Sequence, residues 1–115
     1  MFSVEFPPAD GQTVVRLVGE LDIARVDDAE AQVRPALADG GPGPIIIDLS
    51  ELEFCDSSGI RLLLQFEIAA ADCGREVFLR QPAPVLRRVI EALGLESELR
   101  FEGNAEPGVS EQAPI

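Results

Sequence analysis

Asp56-Ser57-Ser58-Gly59 sets a carboxylate and two hydroxyls side by side, just ahead of an apolar repeat at Ile60, Leu63 and Leu64. Asp56 and Ser57 are residue types that cap helix N-termini, and the repeat has helical spacing. The hydroxyls would then stand where orphan backbone N–H groups and the positive end of a helix dipole point outward, a place that favours an added anion. Two chemistries fit. A capping side chain accepts hydrogen bonds from the first helical N–H groups and contributes about 1 kcal/mol. An exposed serine at the same place can be phosphorylated, which adds about −1.5 to −2 charges beside Asp56. The two are compatible, and the local sequence by itself favours the cap.

Other candidates carry less. Glu20 and Asp22, at i and i+2, lie on one side of an extended chain. A hydrolase would need a raised-pKa acid in a pocket, and nothing in the sequence signals one, so both read as solvent-facing strand-end and turn residues. Cys55 has no histidine to activate it, and it reads with Cys73 as a small buried packing residue. The chain has neither His nor Lys, which removes the usual general base, the Schiff-base residue and the P-loop lysine. No catalytic residue, metal site or cofactor is expected, and the chain does not read as an enzyme.

The elements that must position these residues alternate between strands and helices. Phe2, Val4 and Phe6 alternate with polar residues ahead of a turn at Pro7-Pro8-Ala9-Asp10-Gly11. Thr13 to Val18 is β-rich and runs into Gly19-Glu20-Leu21-Asp22. A helix is predicted over about Ala24–Ala38, with Pro35 inside it as an unexplained cost, and Gly40 to Pro44 stops it. Ile45-Ile46-Ile47 opens a buried strand to Leu49, followed by a loop and a second helix over about Ser57–Asp72. On that helix Ile60, Leu63, Phe66 and Ala70 should face a sheet. Ser58, Arg61, Gln65 and Asp72 form an outer stripe with Ile68 and Ala69 beside it, either a solvated face or a docking surface. Val77-Phe78-Leu79 reads as a strand. Pro82-Ala83-Pro84 opens a third helix with Leu86, Val89, Ile90 and Leu93 as its apolar stripe, and Leu99 to Phe101 is a last short strand. The pattern is that of an α/β layered domain with a parallel or mixed sheet.

At 115 residues the chain is sized for one domain with its own core. Its formal net charge of −12 disfavours nucleic acid and anionic lipid surfaces as direct partners. Two cysteines are too few for a disulfide framework, no run approaches a membrane span, and the start lacks a basic signal-peptide region. A cytoplasmic location is the simplest expectation.

Taken in order, these segments resemble the STAS domain family, specifically the bacterial anti-sigma factor antagonists. The resemblance is carried by Gly19-Glu20-Leu21-Asp22 and by Asp48-Leu49-Ser50 through Asp56-Ser57-Ser58-Gly59-Ile60. Pro82-Ala83-Pro84-Val85-Leu86-Arg87-Arg88 and Leu93-Gly94-Leu95 add to it, and together they cover about residues 2–102. It implies a single STAS-like α/β domain over residues 1–102, with a mixed four- to five-stranded sheet and about three helices mainly on one side. Residues 103–115 would then be a flexible tail. It also implies a phosphorylation site at Ser57, the first serine after Asp56, and a partner surface of Asp22, Asp56, Ser57, Ser58, Gly59 and Arg61. In such proteins the unmodified form binds an anti-sigma factor that is also a serine kinase, and so frees the sigma factor. Phosphorylation weakens that complex, and a PP2C-type phosphatase resets the switch. A monomer or weak homodimer is expected. The alternative within the family is a constitutive accessory subunit, for example of a transport ATPase, in which Ser57 would only cap a helix.

Overall fold

The longest strand, β2 (Thr13–Leu21), is the axis of the sheet because nearly every second residue along it is apolar and buried. The computed structural model describes residues 1–39, 41 and 43–103. The expected tail from residue 104 on, and Gly40 and Pro42 of the helix stop, lie outside the described residues. β1 (Phe2–Glu5) pairs antiparallel along one edge of β2, from Phe2 opposite Gly19 to Glu5 opposite Arg16. The other edge is shared by two short strands in line. β3 (Ile45–Asp48) runs parallel to the first half of β2, and β4 (Leu52–Cys55) runs parallel to its end. A register shift between Gly19 and Glu20 separates the two pairings. β5 (Val77–Arg80) lies parallel beyond β3. The result is a mixed five-stranded sheet with the order β1-β2-β3-β5, and β4 beside β2.

Among the described residues three helices complete the domain: α1 (Val26–Leu37), α2 (Ser57–Asp72) and α3 (Pro84–Ala92). Ala29, Val33 and Leu37 of α1 and Ile60, Leu63, Phe66 and Ala70 of α2 are buried with Val15, Leu17, Leu21, Ile45, Ile47, Val77 and Leu79 of the sheet. Leu86 and Ile90 of α3 join the same core. Full burial of a side chain such as Phe66 or Ile47 contributes about 1.5–3 kcal/mol, so this face holds the fold together. The opposite face carries registered rows. One row is Val14, Ile46 and Phe78; the next is Arg16, Asp48 and Arg80.

Some expectations are corrected. β4 is an additional strand, in a stretch that reads as a loop because Glu51 and Glu53 interrupt it. α1 is shorter than Ala24–Ala38. Pro35 is exposed in the last turn of α1, where its missing N–H costs a single helical bond near an end that closes with Ala38 N–H donating to Arg34 O at 3.2 Å. Cys73 is exposed and does not pack in the core. Val89 of α3 and Leu93 at its C-cap are also exposed, since only Leu86 and Ile90, one turn apart, point inward. The last expected strand is reduced to one bridge, between Leu79 and Phe101. Among the described residues no helix is long and apolar enough to cross a membrane.

Candidate functional site

The site forms where β2 and β4 end together. Leu21 and Cys55 are in register, and Asp56 N–H donates to Leu21 O at 3.2 Å. Asp22 and Asp56 are the next residues on these neighbouring parallel strands, which lie about 4.8 Å apart. Two carboxylates therefore emerge side by side at the C-terminal ends of parallel strands, the edge where open α/β sheets bind ligands.

Each carboxylate is held by its own turn. Asp22 Oδ1 accepts from Ala24 N–H at 3.2 Å, and its Oδ2 accepts from Arg25 Nη1 at 2.7 Å. Asp56 Oδ1 accepts from the backbone N–H groups of Ser58 at 2.9 Å and Gly59 at 3.2 Å. Asp56 is thus the N-cap of α2, and it satisfies two of the four orphan donors. Ser57, the first helical residue, is exposed, and among the described residues its side chain makes no hydrogen bond. Of the two cap-type residues, the geometry selects one. Asp56 does the capping, and the Ser57 hydroxyl is left pointing to solvent at the positive end of a helix.

Gly59 is buried, so its part in the site is steric. A Cβ on Gly59 would lie 2.5 Å from Cys55 Sγ and 3.1 Å from Leu21 Cδ2. Only glycine lets the first turn of α2 sit this close to the paired strand ends. Burial, with the Asp56 charge beside it, pushes the Cys55 thiol up to about 12. It stays protonated at neutral pH and is no nucleophile. Its Sγ–H donates weakly to Asp56 O at 3.6 Å, consistent with a packing role.

Ser58 and Arg61 face away from the β4 side, into a recess of about 250 Å³ between the starts of α1 and α2. Ile23, Asp27 and Glu30 line its other wall. Ile23 follows Asp22 directly and is 72 % exposed, a large apolar side chain presented beside the carboxylates. Nothing in the local pattern marks it, because a single apolar residue in a turn is ordinary. A second recess, of about 330 Å³, opens between β4 and α3 and is walled by Phe54, Val85 and Val89. Sequence patterning does not reveal any of the three as a surface residue, since it assigns such side chains to a core. The structure therefore brings Asp22, Asp56, Ser57, Ser58 and Arg61 to one end of the domain, with Gly59 beneath them.

A family profile described as Mlab, STAS domain, matches residues 5–100. The chain belongs to the STAS domain family. Among curated relatives of this STAS domain, the anti-sigma F factor antagonist of Lysinibacillus sphaericus is 39% identical over 83 residues, which are 71% of this chain and 70% of the relative. The crystal structure of an anti-sigma factor antagonist from Mycobacterium paratuberculosis superposes with a TM-score of 0.77 at 26% identity, over 88% of this chain and 85% of that one. The Bacillus cell fate determinant SpoIIAA in its phosphorylated form superposes with a TM-score of 0.65 at 29% identity, over 93% and 96% of the two chains. The mixed five-stranded sheet and three helices are thus a STAS architecture, as the sequence resemblance implied.

Proposed function

We propose that this STAS domain is an anti-sigma factor antagonist switched by phosphorylation at Ser57. The observation that carries the reading is the division of labour at the start of α2. The Asp56 carboxylate holds the helix N–H groups, while the neighbouring Ser57 hydroxyl is exposed and unbonded among the described residues. The names of the relatives and the phosphorylated state of SpoIIAA support it.

In this reading the unmodified protein binds an anti-sigma factor serine kinase through Asp22, Asp56, Ser57, Ser58 and Arg61, and the sigma factor is released. The kinase then transfers the γ-phosphoryl group of ATP to Ser57 Oγ, with ADP as leaving group. The hydroxyl proton passes to a base of the kinase, since this chain has no histidine to take it. The chain is a substrate here and not an enzyme. A dianion set beside Asp56 and Asp22 makes the contact bulkier and more negative. A loss of about 2–4 kcal/mol weakens binding by about 30- to 1,000-fold, enough for a switch. A PP2C-type phosphatase would reset it. The domain would act in the cytoplasm as a monomer or weak homodimer, controlling transcription by partner exchange without touching DNA.

The test pairs the protein with kinases encoded beside it, supplies ATP, and locates any phosphate by mass spectrometry. Phosphate is expected on Ser57, absent from Ser57→Ala, with Ser57→Asp binding at least 30-fold more weakly than wild type. An unmodified Ser57 with every co-encoded kinase, together with wild-type affinity in Ser57→Asp, defeats the proposal.

A further inference from the structure

Most of the arginines of this domain are spoken for. Arg16, Arg25, Arg34, Arg80, Arg87 and Arg100 each pair with a carboxylate, and Arg75 bonds Thr13 Oγ1 and Gly43 O. In a chain with 21 acidic and nine basic residues, that is the expected outcome for an arginine. Arg61 and Arg88 are the exceptions among the described residues, and Arg88 lies on α3, not on the helix that carries Ser57. Arg61 is exposed, and its guanidinium makes neither an ion pair nor a hydrogen bond among the described residues. It stands four residues after Ser57 on α2, one turn along the same side, where Cβ atoms are about 5–6 Å apart.

We propose that Arg61 is the internal partner of the Ser57 phosphate. The inference rests on the reading of Ser57 as the switch residue and says how the switch is thrown. In the unmodified protein the guanidinium is offered outward, next to Ser58, to an acceptor on the bound partner. Once Ser57 carries a dianion, Arg61 folds back over one turn, donates to the phosphate oxygens and is withdrawn from the partner. The pairing has the favourable sense on a helix, with the anion N-terminal to the cation. Because Asp56 already occupies the N–H groups of Ser58 and Gly59, the phosphate finds fewer backbone donors there, and a side chain on the same helix can supply the rest. The competing groups are Asp27 and Glu30, which face the same recess from α1, and Asp56 at the cap. Glu30 is engaged by Arg34. None of them matches a doubly charged group with three acceptor oxygens on the same helix.

The full chain is made with phosphoserine installed at position 57, and the phosphate is titrated by ³¹P NMR in wild type and in Arg61→Gln. A nearby cation favours the dianion, so the second phosphate pKa is expected to lie about 0.2–0.4 units lower in wild type, a roughly 1.5- to 2.5-fold difference in proton affinity. Arg61→Lys should keep most of that difference, and about 1 M salt should erase it. Asp27, Glu30 and Asp56 are common to all variants and cancel from the comparison. As a check without mutation, the Arg61 Nε–H resonance should titrate with the same midpoint as the phosphate. Equal phosphate pKa values in wild type and Arg61→Gln, or an Arg61 resonance that stays still while the phosphate titrates, overturn the proposal. The two readings fail separately. Kinases that never modify Ser57 defeat the switch without touching the installed phosphate, whereas a modified Ser57 with no pKa difference defeats only the Arg61 pairing.

Discussion

Two aspartates leave parallel strands of this domain through the same local turn, and the residue that follows each meets a different fate. Asp48 ends β3, and its Oδ1 accepts from Ser50 N–H at 2.9 Å, two residues on. Asp56 follows β4, and its Oδ1 accepts from Ser58 N–H at 2.9 Å, again two residues on. At the first turn the intervening residue is Leu49, 1 % exposed, and the second carboxylate oxygen accepts from Arg16 Nε at 3.1 Å. At the second the intervening residue is the exposed Ser57, and the same carboxylate oxygen also accepts from Gly59 N–H. Asx-type turn chemistry is thus used once to lock the chain and once to hold a helix end while presenting a hydroxyl. The carboxylate does not decide which. The residue after it, and whether a cation closes over the turn, does.

The comparison is sharpened most by removing the locked carboxylate. Burial alone would push the Asp48 carboxyl up. Hydrogen bonds from Ser50 and Arg16 outweigh it and hold the group below its ordinary value of 3.8. Asp48→Ala loses these bonds at a buried site and is expected to cost about 2–3 kcal/mol in denaturant melts. For a domain this size that is a fall in Tm of roughly 10–20 °C. The pH dependence follows from the sign of the shift. A carboxyl held low in the native state contributes its stability fully above the unfolded value and loses it as pH falls below 3.8 through the depressed native value. The stability gap between wild type and Asp48→Asn should therefore narrow on acidification through that range. A gap that widens, or an Asp48→Ala cost no larger than that of Asp56→Ala, breaks the contrast.

The two turns are not equally legible in the amino-acid sequence. The bounds of α2 at Ser57 and Asp72 can be read from it, because cap residues and an apolar stripe are local signals. Ser57 stands out on the same grounds and through the family resemblance. What escapes is non-local. β4 exists because its four residues complete the edge of β2 that β3 leaves unpaired, and that edge is set by residues more than 30 positions earlier. The partnership of Asp48 with Arg16 spans 32 residues, and that of Arg75 with Thr13 spans 62. The apolar stripe of α3 is legible only by half. Leu86 and Ile90 pack, while Val89 lines the recess opposite Phe54, a juxtaposition only the tertiary fold creates. Cys73 has no pattern to mark it as exposed.

The cap at the second turn should matter less to the fold than the lock at the first. Asp56→Ala removes the acceptor for Ser58 and Gly59 N–H at a half-exposed helix end, where water can replace it. A loss of about 1 kcal/mol is expected, and Asp56→Ser should restore most of it. Hydrogen exchange gives the local readout, with faster exchange confined to the first turn of α2. A loss as large as that of Asp48→Ala would mean that the end of β4, and not merely the helix cap, depends on this carboxylate.

The smallest expected effect on stability belongs to the residue with the largest proposed effect on function. Ser57 is exposed, its hydroxyl has no partner among the described residues, and no part of its side chain enters the core. Ser57→Ala should change stability by less than about 0.5 kcal/mol. Ser57→Asp should do the same, because attraction of the new carboxylate to the helix N-terminus is offset by repulsion from Asp56. Equilibrium urea unfolding of both variants beside wild type measures this directly. Superimposable curves, set against the 30-fold or greater loss of partner affinity expected for Ser57→Asp, would mean that the position is uncoupled from folding and available to binding alone. A shift beyond about 1 kcal/mol in either variant would show that the hydroxyl belongs to the cap after all. Ser57 would then stand with Leu49 as a residue fixed by its turn.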